Sequence, residues 1–413
     1  MPIRIKHQRF IQRFIFAVAT LLFLPGSSSV ANVVVDWNAI ATEAPPPAVV
    51  GPAHARILGY VHAAIYDAVN GIDRRHASYL VTAPAPFGAS AEAAAAAAAH
   101  GVLARLHPAQ QAVLDAALAK SLQAIPDGAS KTDGVAFGAS IAERVFAISR
   151  EDGASATVDY EYGKLPWSWR PTAPGMTPRL AQWGKVKPFL IEDFTQFSPP
   201  GPIPVDGAAY AKEINEVNAL GGADSVERTS RQTATAIFWT VSTPVPFNAL
   251  ARGAAKAKEL GLAESARLFA LLNMASSDSQ IVTWEAKYRH GLLRPVTAIH
   301  EASTLRNPEI RQDAKWEPLL ATPGHPDYPS GHCAYTGAAV AVLQHFFGDD
   351  ATISATSVTW PLLGVTRSWK TFTEMSKEVI DARVWGGIHT RTADEHADQL
   401  GRKVADYAIA KLR

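Results

Sequence analysis

Three stretches decide how this chain reads: Lys287-Tyr-Arg-His-Gly-Leu-Leu-Arg294-Pro295, then Pro329-Ser330-Gly331-His332, then Arg383 with His389 six residues on. Together they hold the parts of an oxyanion site: several cationic donors for the oxygens, a helix start that favours negative charge, and an imidazole for the central atom. The pattern of residues from about 264 to 293 predicts a helix. At about 100° per residue, seven steps return to nearly the same azimuth, so Lys287 and Arg294 are expected to point the same way. Pro295 disfavours α geometry at Arg294 and puts that arginine at the frayed helix end, where its fork-shaped side chain can reach a cleft.

The second block reads as a helix start. Pro326, Asp327, Tyr328 and Pro329 oppose a regular element, Ser330 has N-cap chemistry, and Cys333 to Leu343 reads as a packed helix. The N–H groups of Ser330, Gly331 and His332 then face an anion, and Gly331 allows close approach because it has no Cβ. In the third block, an unbroken helix would separate Arg383 and His389 by about 120°, so convergence needs a break. Gly386-Gly387 supplies one, with a helix expected on either side and His389 in the turn. Singly, each block has a plainer reading: a solvated basic face, a capped helix, a surface histidine. Their order and number make the site.

These three blocks resemble the signature shared by vanadium-dependent haloperoxidases and type 2 phosphatidic acid phosphatases, including bacterial class A acid phosphatases. The resemblance covers about residues 220 to 413, and Trp284 extends it towards the haloperoxidase branch. Residues 53 to 70, from Ala53-His-Ala-Arg56 to Asp67-Ala-Val-Asn70, are similar to the N-terminal helix of bacterial haloperoxidase-like proteins. The resemblance implies an all-α fold of two helical bundles. It implies that Lys287, Arg294 and Arg383 neutralise the oxyanion, with the Ser330 hydroxyl and Gly331 N–H completing the cradle. His389 is then the vanadium ligand or, in a phosphatase, the nucleophile that forms phosphohistidine. His332 is the acid–base residue.

Departures from the signature set the expected chemistry. Phosphatase signatures commonly carry serine before the last arginine, where this chain has Ala382. Some chloride-oxidising members carry a carboxylate after a Phe-Trp pair, whereas Phe238-Trp239 precedes Thr240. His325, seven residues before His332, stands where an aromatic or histidine influences halide choice, and histidine there is more similar to bromide-oxidising enzymes.

The remaining sequence sets the frame. A formal charge of +1 with 19% charged residues gives no basic stripe for nucleic acid. A hydrophobic share of 47% over 413 residues supports a large core. Arg4, Lys6, Arg9 and Arg13 precede the apolar run Phe14 to Leu24, and Ser29-Val30-Ala31 fits a cleavage site. Residues 1–31 therefore read as a signal peptide, with the exported part periplasmic or secreted. No other segment is long and apolar enough to span a bilayer, which argues against an integral membrane protein. The one cysteine, Cys333, excludes an intramolecular disulfide, and packing is a better reading for it than nucleophilic chemistry. Zinc on His325, Asp327 and His332 is disfavoured by the neighbouring cations.

Helices are expected at about 52 to 72, 89 to 106, 108 to 124 and 133 to 150, forming an N-terminal bundle over residues 32–152. Residues 153–206, rich in tryptophan and proline without a helical period, read as a long covering loop whose aromatics cap the cleft or pack on the bundles. Helices then resume at 208 to 219 and 224 to 240 within a C-terminal bundle, 207–413, that bears the site. The leading expectation is an exported haloperoxidase-like enzyme that uses vanadate, hydrogen peroxide and halide, bromide or iodide before chloride. The alternatives are a soluble acid phosphatase acting on phosphate esters through a phosphohistidine, and a non-enzymatic oxyanion-binding protein.

Overall fold

The computed structural model describes residues 32–413 except 47, 50 and 83. The expected signal peptide lies outside the described residues. In chain order the elements are α1 (Val33–Glu43), α2 (Pro52–Asp73), α3 (Ala91–Leu106), α4 (Gln111–Gln123), α5 (Ala129–Ser149), α6 (Ala208–Gly221), α7 (Ser230–Phe238) and α8 (Pro244–Ala257). There follow α9 (Leu262–His290), α10 (Pro295–His300), α11 (Gly331–Phe347), β1 (Asp350–Thr356), β2 (Thr366–Thr371), α12 (Phe372–Trp385) and α13 (Arg391–Lys411). The all-α expectation holds, with one addition. Between α11 and α12 the antiparallel hairpin β1–β2 pairs Ile353 with Trp369 and buries both rings or branches against the helices.

Helices α2, α3 and α5 pack together, α9, α11 and α13 pack together, and α2 lies against α9 so that one hydrophobic core joins the two groups. Helix α3 forms because its alanine run has the highest helix propensity and Ser90 caps it by accepting the Ala93 N–H at 3.1 Å. Small residues let helices touch backbone to backbone where the site is built. A Cβ at Gly337 of α11 would collide with the Asp398 carbonyl of α13, and one at Gly401 of α13 with the Ala334 carbonyl of α11. That approach brings the start of α13 beside the start of α11.

Residues 153–206 contain only two short 3₁₀ turns, Trp183–Lys185 and Phe194–Phe197. Trp169 and Trp183 are buried, so these rings pack on the bundles rather than cap the cleft. Two carboxylates hold irregular chain by the same device. Asp67 of α2 accepts the successive N–H groups of Tyr79, Leu80 and Val81, and Asp278 of α9 those of Phe189, Leu190 and Ile191, all between 2.7 and 3.1 Å. Arg56 of α2 pairs with buried Asp152 and donates to the Ser149 carbonyl at 2.7 Å. The 53 to 70 motif therefore anchors loops.

Several elements differ from the sequence reading. The helix expected over 224 to 240 begins at Ser230, because Arg228 donates to the carbonyls of Leu220 and Gly222 and Thr229 closes a capping box with Gln232. Helices α1, α8 and α10 went unassigned. Helix α8 opens Pro-Val-Pro, which reads as a break, yet both prolines occupy its first turn, where no N–H bond is lost.

Candidate active site

Lys287 and Arg294 converge for a different reason from the one the helical period suggested. Helix α9 stops at His290, Gly291 adopts the left-handed conformation at φ 56°, and Arg294 is the extended N-cap residue of α10. The chain turns back instead of continuing along one face. Both side chains are fully buried. Lys287 Nζ donates to the carbonyls of Pro326 at 2.9 Å and Asp327 at 3.0 Å, and stands 5.7 Å over the Trp284 ring. Arg294 donates through Nε to the His325 carbonyl at 2.7 Å and through its terminal nitrogens to the Ile388 carbonyl at 2.6 Å and to His325 Nδ1 at 3.0 Å.

Ser330 is the N-cap of α11, its Oγ accepting the Cys333 N–H at 3.5 Å. The first N–H groups of α11, at Gly331 and His332, precede that capped donor, where a helix supplies no internal partner. A Cβ at Gly331 would meet the Trp284 ring at 2.7 Å, so glycine is what lets the tryptophan close over this turn. The Gly386-Gly387 break works as expected. Helix α12 ends at Trp385, Gly387 takes φ 77°, and His389 sits in the turn before α13.

Gly331, His332, Arg383 and His389 line one cavity of about 240 Å³ with Trp284 and His325, while buried Lys287, Arg294 and Ser330 adjoin that lining, at Trp284, His325 and Gly331 respectively. All nine residues singled out in the sequence therefore belong to one locality. Trp284 and His325 pack with ring centroids 5.0 Å apart. Arg383 donates to the Trp239 carbonyl at 3.0 Å, so main-chain oxygen orients it in this chain, which has Thr240 after the Phe-Trp pair. Among the described residues its Nε and the Nε2 of His332 have no partner.

Two carboxylates escaped the sequence reading in these roles. Asp327 is fully buried, its Oδ1 2.6 Å from His389 Nδ1 and its Oδ2 accepting the Thr390 hydroxyl at 2.8 Å. That contact fixes the imidazole proton on Nδ1 and leaves Nε2 with its lone pair, 3.3 Å from an Arg294 nitrogen that can donate to it. Asp394 is also fully buried and accepts from the Cys333 thiol at 3.3 Å. A charge hidden between Pro326 and Tyr328 reads as an ordinary turn residue; only its place between two signature histidines marks it.

Electrostatics follow from burial. His389 and His332 are held well below the ordinary histidine range by loss of water, and then by nearby cations: chiefly Arg294 and Lys287 for His389, and Arg383 for His332. Both imidazoles are thus neutral across physiological pH. Burial pushes the Asp327 carboxyl up while Arg294 and Lys287 pull it back. Burial drives the Cys333 thiol well up, next to Asp394, which disposes of a thiolate nucleophile. Among the described residues no cluster of three metal-ligating side chains occurs, since Asp327 is turned to His389 and Thr390, and the zinc reading falls.

An all-helical scaffold thus brings together three buried basic side chains, a helix start and two imidazoles, the parts that an oxyanion site requires. Residues 267–413 match the model of the VCPO second helical-bundle domain. The vanadium chloroperoxidase of Curvularia inaequalis is 26% identical over 405 residues, an alignment that takes in 76% of this chain and spans 66% of that relative's length. A bacterial vanadium-dependent iodoperoxidase structure superposes with TM-score 0.78 at 25% identity, covering 93% of this chain and 96% of its own. A holo-type bacterial vanadium-dependent chloroperoxidase shares the fold, with TM-score 0.70 at 20% identity over 89% of this chain and 94% of its own. The resemblance read from the three sequence blocks is borne out by these matches: this chain is similar to the vanadium-dependent haloperoxidases in its second helical-bundle domain and in its fold.

Proposed function

We propose that this protein is an exported vanadium-dependent haloperoxidase that oxidises bromide or iodide in preference to chloride. The observation that carries the reading is His389 held through Nδ1 by Asp327, with its proton-free Nε2 3.3 Å from an Arg294 nitrogen, in a cavity that also presents Arg383, Gly331 and His332. The donor set suits vanadate. Arg383 Nε and His332 Nε2 lack partners among the described residues, and the first N–H groups of α11 lie at the same turn. When bound there, vanadate supplies Lewis acidity that activates hydrogen peroxide for attack by halide.

The chain's own residues do the rest. Lys287, Arg294 and Arg383 balance the anion's charge, and Ser330 and Gly331 complete its cradle. His332, neutral and unpartnered at the cavity, takes or returns the proton. His325 beside Trp284, and an Arg383 held by the Trp239 carbonyl with no carboxylate bonded to it among the described residues, favour bromide or iodide over chloride. A phosphatase is the second reading, because an imidazole backed by a carboxylate across from a second histidine also suits phosphohistidine formation.

One assay separates them. The purified protein, with and without added vanadate, is tested for peroxide-dependent bromide and iodide oxidation beside phosphate-ester hydrolysis. Halide oxidation only with vanadate is expected; ester hydrolysis without halide oxidation replaces the proposal by the phosphatase. Export predicts that the N-terminus of the secreted form is Asn32.

A further inference from the structure

We propose that Arg179, in the long irregular segment, is the entrance cation of the active-site cavity and governs capture of the small anion that reacts there. This rests on the haloperoxidase reading for the identity of the anion, a halide, though not for the capture itself.

The argument starts with how Arg179 is held. Its N–H donates to the Gly324 carbonyl at 2.8 Å, and its own carbonyl accepts from Trp284 Nε1 at 3.3 Å and from the Tyr288 hydroxyl at 2.7 Å. The next residue, Leu180, adopts φ 57°, a left-handed conformation unfavourable for a branched side chain. Three hydrogen bonds thus hold the chain beside a strained position, and strain that persists only because the surroundings enforce it is concentrated at functional sites. What the strap fixes is where the segment meets the cavity: Arg179 and Leu180 both line it, with His325 and Trp284.

Its guanidinium is free. In every bond of the strap Arg179 takes part through its main chain alone, and among the described residues the Arg179 side chain has no hydrogen bond or ion pair. The residue is exposed, whereas Lys287, Arg294 and Arg383 are buried and held by carbonyl oxygens. Arg179 is therefore the cation of this site that meets solvent. Its charge is felt inside, for it helps to hold His325 below the ordinary histidine range, after burial, Lys287 and Arg294. The lining contributed by the start of α2 and the α7–α8 link is uncharged: Gly51, Pro52, Thr240, Ser242 and Thr243. A lone exposed cation at the mouth of a cleft with low-dielectric walls raises the local concentration of a monoanion and speeds its entry. A neutral oxidant such as hydrogen peroxide gains nothing from it.

Arg179→Gln tests this, because it removes the charge and leaves the main-chain strap. With vanadate bound, the halide KM is expected to rise about tenfold at low ionic strength with kcat and the peroxide KM unchanged, and the difference to shrink as salt is added. Arg179→Lys should restore most of the wild-type KM, which a packing role would not. A second readout needs neither vanadate nor turnover. Iodide quenching of tryptophan fluorescence, corrected with Trp284→Phe, should weaken in Arg179→Gln, while quenching by neutral acrylamide stays the same. Equal halide KM and equal iodide quenching in wild type and Arg179→Gln overturn the proposal. A charge-dependent change in quenching in a protein that oxidises no halide keeps Arg179 as the capture residue and removes the haloperoxidase reading instead.

Discussion

Both signature histidines line the cavity, and their surroundings give them different work. His389 has Nδ1 committed to Asp327, which leaves Nε2, 3.3 Å from an Arg294 nitrogen, as the ring atom that the proposed function assigns to the central atom. His389→Ala should weaken vanadate retention and abolish turnover. His332→Ala leaves the cations and the α11 turn intact, so most of the affinity should survive while the rate falls by about 10²–10⁴-fold, the range for a general acid–base group. Equilibrium titration of vanadate into both variants decides the matter; equal losses of affinity would make His332 a ligand. Asp327 acts through His389 as a positioning residue. Asp327→Ala frees the tautomer and ring orientation, and partners of this kind are worth about 10–100-fold in metal affinity. Titration should therefore show a loss in that range, and an affinity unchanged within twofold would reduce Asp327 to a packing role.

At the scale of elements, the sequence displayed what depends on short-range pattern and hid what depends on a turn. The alanine run of α3, the Ser330 cap and the Gly386-Gly387 break were visible because each acts within a few residues. Lys287 and Arg294 were rightly brought together on the wrong argument: a left-handed Gly291, not helical periodicity, carries Arg294 to the site. The partners of the signature residues were invisible because they come from far along the chain. The Trp239 carbonyl meets Arg383, and Asp278 meets Phe189–Ile191, across gaps no local pattern spans. Asp278 yields a prediction for this level. Burial pushes its carboxyl up to about 7 against three N–H donors. The folded protein then keeps a proton that the unfolded chain gives up near its ordinary value of about 4. The contribution is fully present below that lower value and is lost as pH rises towards 7. Asp278→Asn does not titrate, so the stability of the wild type relative to it should fall between about pH 4 and 7, measured by denaturant midpoints at each pH. A difference that stays flat or grows across this window contradicts the assignment. At acidic pH the variant should be weaker by about 1–3 kcal/mol, since an amide offers one acceptor oxygen where the carboxyl serves three donors.

The molecule as a whole is tied to its cavity. Lining residues come from the start of α2, the long irregular segment, the α7–α8 link, α9, the α11 turn and the end of α12, so segments from both bundles must be in place before an anion can be bound. The core between α2 and α9 is continuous as well. An oxyanion that binds this folded arrangement and not the open chain must stabilise the entire structure by mass action, by about 2.7 kcal/mol at a hundred times its dissociation constant. Vanadate should therefore raise Tm in one cooperative transition rather than stabilise one bundle alone. Phosphate, with similar charge and shape, should raise Tm less at equal concentration and should reduce the shift produced by vanadate when both are present, because they compete for the same cations. Arg383→Ala should remove both shifts, since it takes away an unpartnered donor at the cavity wall. Differential scanning calorimetry reads all three. Two separate transitions, of which vanadate moves only the later, would show that the bundles unfold independently and that the anion is held by the C-terminal one alone; additive shifts from vanadate and phosphate would place them at different sites.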